Sequence, residues 1–297
     1  MAKVVRVKSV LNKLKSQDDW FLLDYTVNPF MGCALNCTYC YIHGSKYGGE
    51  DTSVLQVKTN APEVLYKQLK NRAQNGEYGF IGLGTSTDPY PPLEEEQELT
   101  RELLKIMYRF KFPVHVSTKS TLILRDLELL KKMDEKAILP TNLKGKLGHG
   151  VIVSFSFSTV DHQLASIFES GASTVEERLE TMQMFSDEGF LVGANLMPVL
   201  PFLSDSEMKL DEMISKVKEY GGEYVLIAGL TLFGDKPSDC KVRYYETLEK
   251  YFPDLVPQTR RLMGNSFAPS RKYQYDLWKL SEKLAKKHNI RTRISSE

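Results

Sequence analysis

The sequence predicts an α/β protein built on a parallel sheet. Short apolar runs that suit buried strands alternate with segments whose apolar residues recur at helical spacing. Most intervals from one strand to the next span about 30 to 40 residues, the size of a strand followed by one crossover helix. Six such units in a row predict a parallel sheet, curled or flat. The predicted strands cover residues 20–28, 78–84, 113–117, 150–157, 190–197 and 224–228.

Helix start and stop signals separate these strands. Ser173-Thr-Val-Glu176 fits an N-terminal capping box, and Gly189 follows the helix that it would begin. Ser204-Asp-Ser-Glu207 would begin the next helix, which Gly221 and Gly222 would end. The predicted helices cover residues 62–74, 94–110, 124–133, 175–188 and 206–220, with two more at 243–251 and 271–288.

The alternation weakens after the sixth predicted strand. Residues 231–239 favour a loop, and no linker rich in Gly, Pro and Ser separates the C-terminal helices from the rest. We therefore expect a main domain at residues 1–235 and a helical C-terminal extension at residues 236–297 that packs on it.

Composition and charge exclude several classes of protein. Apolar residues make up 42% of the chain and charged residues 26%, which excludes a disordered or collagen-like chain. With 39 Lys and Arg against 38 Asp and Glu, the net charge of +1 gives no overall field that favours nucleic acid or an anionic membrane. The N-terminus does not resemble a signal peptide, and the uncharged run at 189–204 is far shorter in apolar length than the ~20 residues of a membrane span. We expect a soluble, cytoplasmic protein.

Three of the four cysteines lie close together. Cys33, Cys37 and Cys40 have the spacing C-x3-C-x2-C, in a predicted loop at residues 28–45 after the first strand. In a reducing compartment such a group indicates metal before disulfide, and thiolates select zinc, copper or iron–sulfur clusters. Structural zinc takes four closed ligands, and His43 offers a fourth because Cys240 lies 200 residues further on. A zinc site therefore stays an alternative.

This loop, with Tyr39 just before its last cysteine and a repeated β-α chain after it, resembles the radical S-adenosylmethionine (SAM) superfamily. The resemblance covers about residues 25–230. It implies a partial (β/α)6 TIM-like barrel with parallel strands. It also implies that three thiolates hold three irons of a 4Fe–4S cluster, while SAM chelates the fourth iron. The missing fourth cysteine would leave that coordination position open, as a catalytic metal site requires.

Within the superfamily, later segments resemble the spore photoproduct lyase-like group, also described as DNA repair photolyase-related. Residues 84–90, 117–120 and 154–159 carry the resemblance, and Glu169 and Arg178 continue it before the fifth strand. The three segments lie at the carboxyl ends of predicted strands, where ligands gather in parallel α/β proteins.

The resemblance implies how SAM would be held at one end of the sheet. Tyr39 would lie near the adenine, as a flat apolar surface for a heteroaromatic ring. Ser86 or Thr87 would bond the amino or carboxylate end of the methionine moiety. Lys119 would pair with that carboxylate, and Ser156 would bond the ribose or the carboxylate.

Two further side chains have weaker assignments. Arg178 is a candidate for the same carboxylate or for a neighbouring loop. Asp88 precedes Pro89 in a predicted turn and is also a candidate ligand contact.

Two features depart from the pattern of the family. Gly48-Gly49-Glu50 matches a tripeptide that binds the sulfonium's amino group in many members, but there it should follow the second strand; we interpret it as flexible loop. Spore photoproduct lyase uses a cysteine at the end of the second strand as hydrogen donor, where this sequence has Thr85, whose O–H bond is too strong for that role. Thymine-dimer repair by that route is not expected. Cys240 is the remaining candidate donor, and an inert buried cysteine is the alternative.

The implied activity is radical chemistry on an unidentified substrate. A reduced cluster would give one electron to SAM, and the resulting 5′-deoxyadenosyl radical would abstract hydrogen from the substrate, with nucleic acid or protein as candidates. An electron donor of the flavodoxin or ferredoxin type is implied as partner. Basic residues at 283–293 would suit phosphate, although a solvated helix face is the favoured interpretation. The alternatives are a zinc-stabilised nucleic-acid-binding module without catalytic activity, and a metal-independent barrel whose cysteine loop is structural.

Overall fold

The computed structural model describes residues 2–48 and 54–295, which form ten strands and ten α-helices. In chain order the strands are β1 (Lys3–Val5), β2 (Leu11–Lys13), β3 (Leu23–Val27), β4 (Phe30–Met31), β5 (Gln56–Lys58), β6 (Phe80–Leu83), β7 (Val114–Thr118), β8 (Val151–Ser156), β9 (Leu191–Val199) and β10 (Tyr224–Gly229). The helices are α1 (Ala61–Gln74), α2 (Glu94–Gln97), α3 (Leu99–Arg109), α4 (Leu127–Lys136), α5 (His162–Phe168), α6 (Val175–Asp187), α7 (Glu207–Glu219), α8 (Cys240–Tyr251), α9 (Val256–Met263) and α10 (Arg271–Lys287). Two 3-10 helices cover Thr121–Asp126 and Pro253–Leu255.

Seven strands form one sheet in the order β10-β9-β8-β7-β6-β3-β2. Six of them are parallel and lie in chain order, and β2 pairs antiparallel to β3 at one edge. Thr26 of β3 and Gly229 of β10 line the same cavity, so the sheet curls until its first and last parallel strands face a common space. The predicted α/β fold, a partial barrel of six parallel strands, is confirmed.

The two faces of the sheet differ in chemistry because successive strand residues point to opposite sides. Val116 and Val153 point outward and belong to the main core between sheet and helices, where each buried side chain of this size contributes roughly 1.5–3 kcal/mol. Ser117, Ser156 and Asn195 point inward and line a cavity. The inner face is therefore polar near the carboxyl ends of the strands, and a separate apolar cluster fills the barrel near their amino ends.

A second sheet of three short strands, in the order β1-β5-β4, holds the start of the cysteine loop. Phe30 of β4 is fully buried and pairs with Val57 of β5. Lys58 donates a hydrogen bond from Nζ to the carbonyl of Asn28, 2.7 Å away. These contacts fix the chain three residues before Cys33.

Several boundaries differ from the predicted ones. The helix predicted at 94–110 is two helices, because Glu98 adopts a left-handed φ of 45° and interrupts it. The second helix, α3, begins where the Glu94 carboxylate accepts a hydrogen bond from the amide of Thr100 at 2.9 Å. The capping box lies one residue later than predicted, at Thr174 and Glu177. The helix after it is capped by Ser206.

Several C-terminal basic residues lie beside acidic ones. The helix α10 packs against β10 and α7. Lys283 pairs with Glu207, Lys287 and His288 contact Asp211, and Arg291 pairs with Glu223. The interpretation of this segment as a solvated face stays a prediction. None of the helices in the described part of the chain has both the length and the apolar character needed to cross a membrane.

Candidate functional site

The three clustered cysteines line one cavity at the carboxyl ends of the strands. The cavity has a volume of about 540 Å³, and Cys33, Cys37 and Cys40 reach it from the segment between β4 and β5. The loop is held against α5, because the amide of Thr38 donates to the carbonyl of Phe168 at 3.0 Å. The backbone thus fixes where the thiols point before any ligand binds.

Burial strongly disfavours the charged form of these thiols. Loss of hydration raises the pKa of Cys33, Cys37 and Cys40 to about 12 each, and the neighbouring thiols add to the shift. Lys119 opposes it at Cys37 and Cys40 through its positive charge. Three thiolates can therefore coexist here only with added positive charge, which bound metal supplies.

Asp88 joins two loops at the rim of the cavity. Its half-buried carboxylate accepts hydrogen bonds from Thr118 Oγ1 at 2.8 Å and from the amides of Lys119 and Tyr90 at 2.7 and 2.9 Å. Desolvation raises the pKa of Asp88, against the effect of these bonds. Gly84 is required nearby, because it adopts a φ of +89° and a Cβ there would lie 2.0 Å from the carbonyl of Ser117.

Lys119 is the one Lys or Arg that lines the cavity in the part of the chain that the structure describes. Its amide is held by Asp88, and its carbonyl accepts the amide of Ser173 at 3.1 Å. Ser86 and Ser156 line the same cavity. The structure therefore brings a cation and two hydroxyl groups beside the cysteines.

A buried ion pair supports the tyrosine between the last two cysteines. Tyr39 donates its hydroxyl to Glu169 Oε1, which also accepts the amide of Ser158 at 3.2 Å, and Arg178 Nη2 lies 2.8 Å from Oε2. Burial raises the pKa of Glu169, but the charges of Arg178 and Lys119 outweigh it and hold that pKa below its usual value. Tyr39 lines the cavity, and the hydrogen bond from its hydroxyl to Glu169 holds it in place.

Several residues predicted for the site do not reach the cavity. Thr87 and Arg178 are 3% and 1% exposed and lie outside its lining, and Arg178 donates instead to Glu169 and to backbone carbonyls. Cys240 is fully buried, and its Sγ accepts the amide of Phe233 at 3.1 Å. His43, whose pKa burial lowers to about 4, also lies outside the lining. Of Gly48-Gly49-Glu50, the last two residues lie outside the described residues.

Sequence reasoning missed other lining residues. His115, Ser117 and Asn195 face the cavity from β7 and β9, and Tyr41 lines it with its hydroxyl donated to the carbonyl of Thr85. Their signal was available: polar residues at alternate positions of otherwise apolar strands face a space and not a core. A larger cavity of about 820 Å³ between the N-terminal segment and the C-terminal residues contains none of the predicted site residues.

The fold and the site together define an α/β barrel with a thiolate-rich cavity at its carboxyl end. The model of the radical SAM superfamily matches residues 27–214, more than half of the chain. The chain belongs to the radical SAM superfamily, whose members use a 4Fe–4S cluster and SAM, and it is a radical SAM enzyme of unidentified substrate.

The chain is also similar to a curated protein and to solved structures. An uncharacterized protein of Mycobacterium tuberculosis is 29% identical over 282 residues, which cover 89% of this chain and 78% of that protein. A variant of spore photoproduct lyase with bound AdoMet and dinucleoside spore photoproduct has a TM-score of 0.67 and 15% identity, covering 96% of this chain and 78% of that one. SuiB of Streptococcus suis bound to S-adenosylmethionine has a TM-score of 0.50 and 14% identity, covering 79% and 47%. These structural likenesses show the fold.

The donor set fits a 4Fe–4S cluster. Three soft thiolates on one loop suit iron–sulfur ligation, and the lining offers no fourth thiol. Within residues 2–48 and 54–295, no three His, Cys, Asp or Glu side chains stand close enough to hold a single metal ion. A cubane cluster spreads its ligands over separate irons and does not require the sulfurs to meet at one point.

Proposed function

We propose that this enzyme binds a 4Fe–4S cluster through Cys33, Cys37 and Cys40 and uses it to cleave SAM reductively. The observation that carries the proposal is that all three thiols face one cavity, which also holds Lys119. When bound and reduced, the cluster would supply one electron that breaks the bond between the sulfonium sulfur of SAM and its 5′ carbon, giving methionine and a 5′-deoxyadenosyl radical that would abstract hydrogen from an unidentified substrate. An electron donor is needed, and we propose a flavodoxin or ferredoxin type.

The chain's own residues would bind and orient SAM. Lys119 would pair with its carboxylate, because it places a positive charge beside the cysteines. Ser86 and Ser156 would donate or accept hydrogen bonds, and Tyr39 would offer its ring to the adenine. The buried lining would exclude water from a reactive radical.

Arg178, which lies outside the cavity lining, and Asp88, which lies at its rim, would act through other residues. Arg178 would neutralise Glu169, which in turn holds Tyr39. Asp88 would position Lys119 by accepting its backbone amide. Thr87 and Cys240 have no direct contact with a ligand in this proposal, and Cys240 would be an inert buried side chain.

The test begins with protein purified without oxygen and reconstituted with iron and sulfide. We expect a brown protein that forms 5′-deoxyadenosine when SAM and dithionite are added. Replacing Cys33, Cys37 and Cys40 together by Ala should abolish both the colour and the product, whereas Cys240→Ala should keep both. A colourless wild-type protein that contains one zinc ion would reject the proposal in favour of the zinc alternative.

The cofactor contacts have their own test. Lys119→Met should weaken SAM binding at least tenfold while the iron content stays unchanged, because Met keeps the length of the side chain and removes its charge. Lys241→Met is the matched control, since Lys241 lies outside the cavity lining and pairs with Asp235. Equal SAM affinity in the two variants would show that Lys119 does not hold the carboxylate.

A further inference from the structure

One polar atom in the cavity is buried without a partner. Asn195 is 4% exposed, and its Nδ2 donates to Ser117 Oγ at 3.1 Å, while its Oδ1 has no hydrogen-bond partner. An unpaired buried acceptor is costly, and native proteins seldom leave one unless a ligand or water uses it. Because Asn195 lines the cavity, a donor group on a bound molecule would satisfy it.

Asn195 stands between two chemically different halves of the cavity. On one side lie the hydroxyl and charged groups proposed for SAM, with Ser156 in register beside Asn195. On the other side the lining leads along β9 and β10 to the N-terminal segment. That half is mainly apolar, because Leu14, Phe21, Leu23 and Met197 of the cavity lining pack together in one apolar cluster.

Among the residues that the structure describes, the apolar half has no Lys or Arg for an anion, and His115, which packs against Phe21 there, already has both ring nitrogens hydrogen-bonded. Lys119 is the one Lys or Arg in the described lining, and it lies on the SAM side. The charged residue of the apolar half is Asp18, whose carboxylate already accepts the amides of Trp20 and Phe21 at 3.0 and 2.6 Å. A phosphate or carboxylate there would lose its hydration and meet a like charge.

We infer that the apolar half takes an uncharged, mainly apolar group of the substrate that carries an N–H or O–H donor, and that Asn195 Oδ1 accepts it. The inference rests on the proposed function, because that function places SAM in the other half. Any phosphate or carboxylate group of the substrate binds outside the apolar half of the cavity. Asn195 is therefore a specificity-determining residue for the substrate.

Three probes of similar shape test the inference. Phenol donates a hydrogen bond, anisole does not, and benzoate carries a negative charge. Their dissociation constants are measured by calorimetry on cluster-loaded protein, with saturating SAM and no reductant. We expect phenol to bind about tenfold more tightly than anisole, and benzoate to bind more weakly than both.

Variants assign the difference to one atom. In Asn195→Leu, which removes the acceptor and keeps the branched shape of the side chain, the phenol-to-anisole ratio should fall to about one. Asn71→Leu, on the exposed surface of α1, is the matched control and should keep the ratio. The comparison of the three probes on the unchanged chain needs no variant, so it remains decisive if Asn195→Leu does not fold.

Three results would overturn the inference: benzoate binding as tightly as phenol, anisole matching phenol in the unchanged chain, or loss of SAM binding in Asn195→Leu. The last result would assign Oδ1 to the cofactor. These failures differ from failure of the proposed function. An unchanged chain that forms 5′-deoxyadenosine but shows no preference for phenol refutes only the inference, whereas a chain that binds no SAM refutes the proposed function.

Discussion

At the scale of single residues, His115 shows how the polar inner face is kept neutral. Its Nδ1 lies 2.9 Å from the carbonyl of Phe21, and its Nε2 lies 2.7 Å from Ser154 Oγ, which in turn hydrogen-bonds Tyr224 at 2.7 Å. Burial lowers the pKa of His115 from its usual 6.5 to about 4, although the bond to Phe21 opposes the shift. The imidazole therefore stays uncharged beside the cavity at neutral pH.

This burial predicts a pH dependence of stability. Between pH 6.5 and 4 the unfolded chain binds a proton at His115 that the folded chain does not, so stability falls as pH falls. From pH 7 to pH 5 the loss from His115 should be about 2 kcal/mol. Urea unfolding at pH 7 and pH 5 measures the loss in the free energy of unfolding. This loss should be about 2 kcal/mol smaller in His115→Gln than in the wild type. The exposed His162→Gln variant is the control, and an equal pH dependence in His115→Gln and the wild type would contradict the prediction.

At the scale of elements, the turn from α5 into α6 connects the sheet to the cysteine loop. Glu169 follows α5, and Arg178 lies in the first turns of α6. Both are buried, and together they reach Tyr39 on one side and the backbone of β8 at Ser156 on the other. A helix start thus determines how the cysteine loop is held.

Removing one member of this pair should be much more damaging than removing the helix cap. Arg178→Met leaves the Glu169 charge buried without its cation and should lower the free energy of unfolding by about 3–5 kcal/mol. Thr174→Ala, which removes the N-terminal cap of α6, should lower the free energy of unfolding by about 1 kcal/mol. Urea unfolding measures both.

A double variant separates the charge from the packing. Glu169→Gln combined with Arg178→Met should recover part of the loss, because the amide keeps the bonds to Tyr39 and Ser158 without a buried charge. If Arg178→Met costs no more than Thr174→Ala, the ion pair does not hold this region together.

At the scale of the whole molecule, cofactor binding should stabilise the fold through the cysteines. At a SAM concentration about 100 times its dissociation constant, binding adds about 2.7 kcal/mol to the free energy of unfolding, which should raise the melting temperature by about 5 °C. The shift should appear in cluster-loaded wild type and in Cys240→Ala, as followed by circular dichroism without oxygen. The variant with Ala at Cys33, Cys37 and Cys40 should lack it. A full shift in that variant would mean that SAM binds without the cluster.

The sequence predicts a strand or helix where the element is long enough for its apolar residues to repeat at regular spacing. The six parallel strands and the main helices are all found, but β1, β2, β4 and β5 have two or three residues each, too few for alternation to show. The seven residues of α5 fall below the length at which helical spacing is visible. The break at Glu98 depends on the hydrogen bond that the Glu94 carboxylate accepts from the amide of Thr100 at the start of α3. The spacing of residues in the sequence does not reveal this contact.

The site is predictable where residue type alone limits the chemistry. The spacing of Cys33, Cys37 and Cys40 indicates one metal centre, and the structure places all three on one cavity. For Arg178, the sequence gives a charge but not its buried partner, so a ligand contact and a neighbouring loop are equally consistent with it. For Asn195, the polar residue in an apolar strand indicates that its side chain faces a space, but only the structure shows that its Oδ1 has no hydrogen-bond partner there.

The order of strands in the sheet has a consequence for synthesis of the protein. Each parallel strand from β3 to β10 adds beside the one translated before it, so the barrel grows from one edge as the chain leaves the ribosome. The cysteine loop emerges near the start of this process, long before β9 and β10 complete the wall around it. The nascent thiols are therefore open to oxidants and to iron delivery while the later strands are still being made.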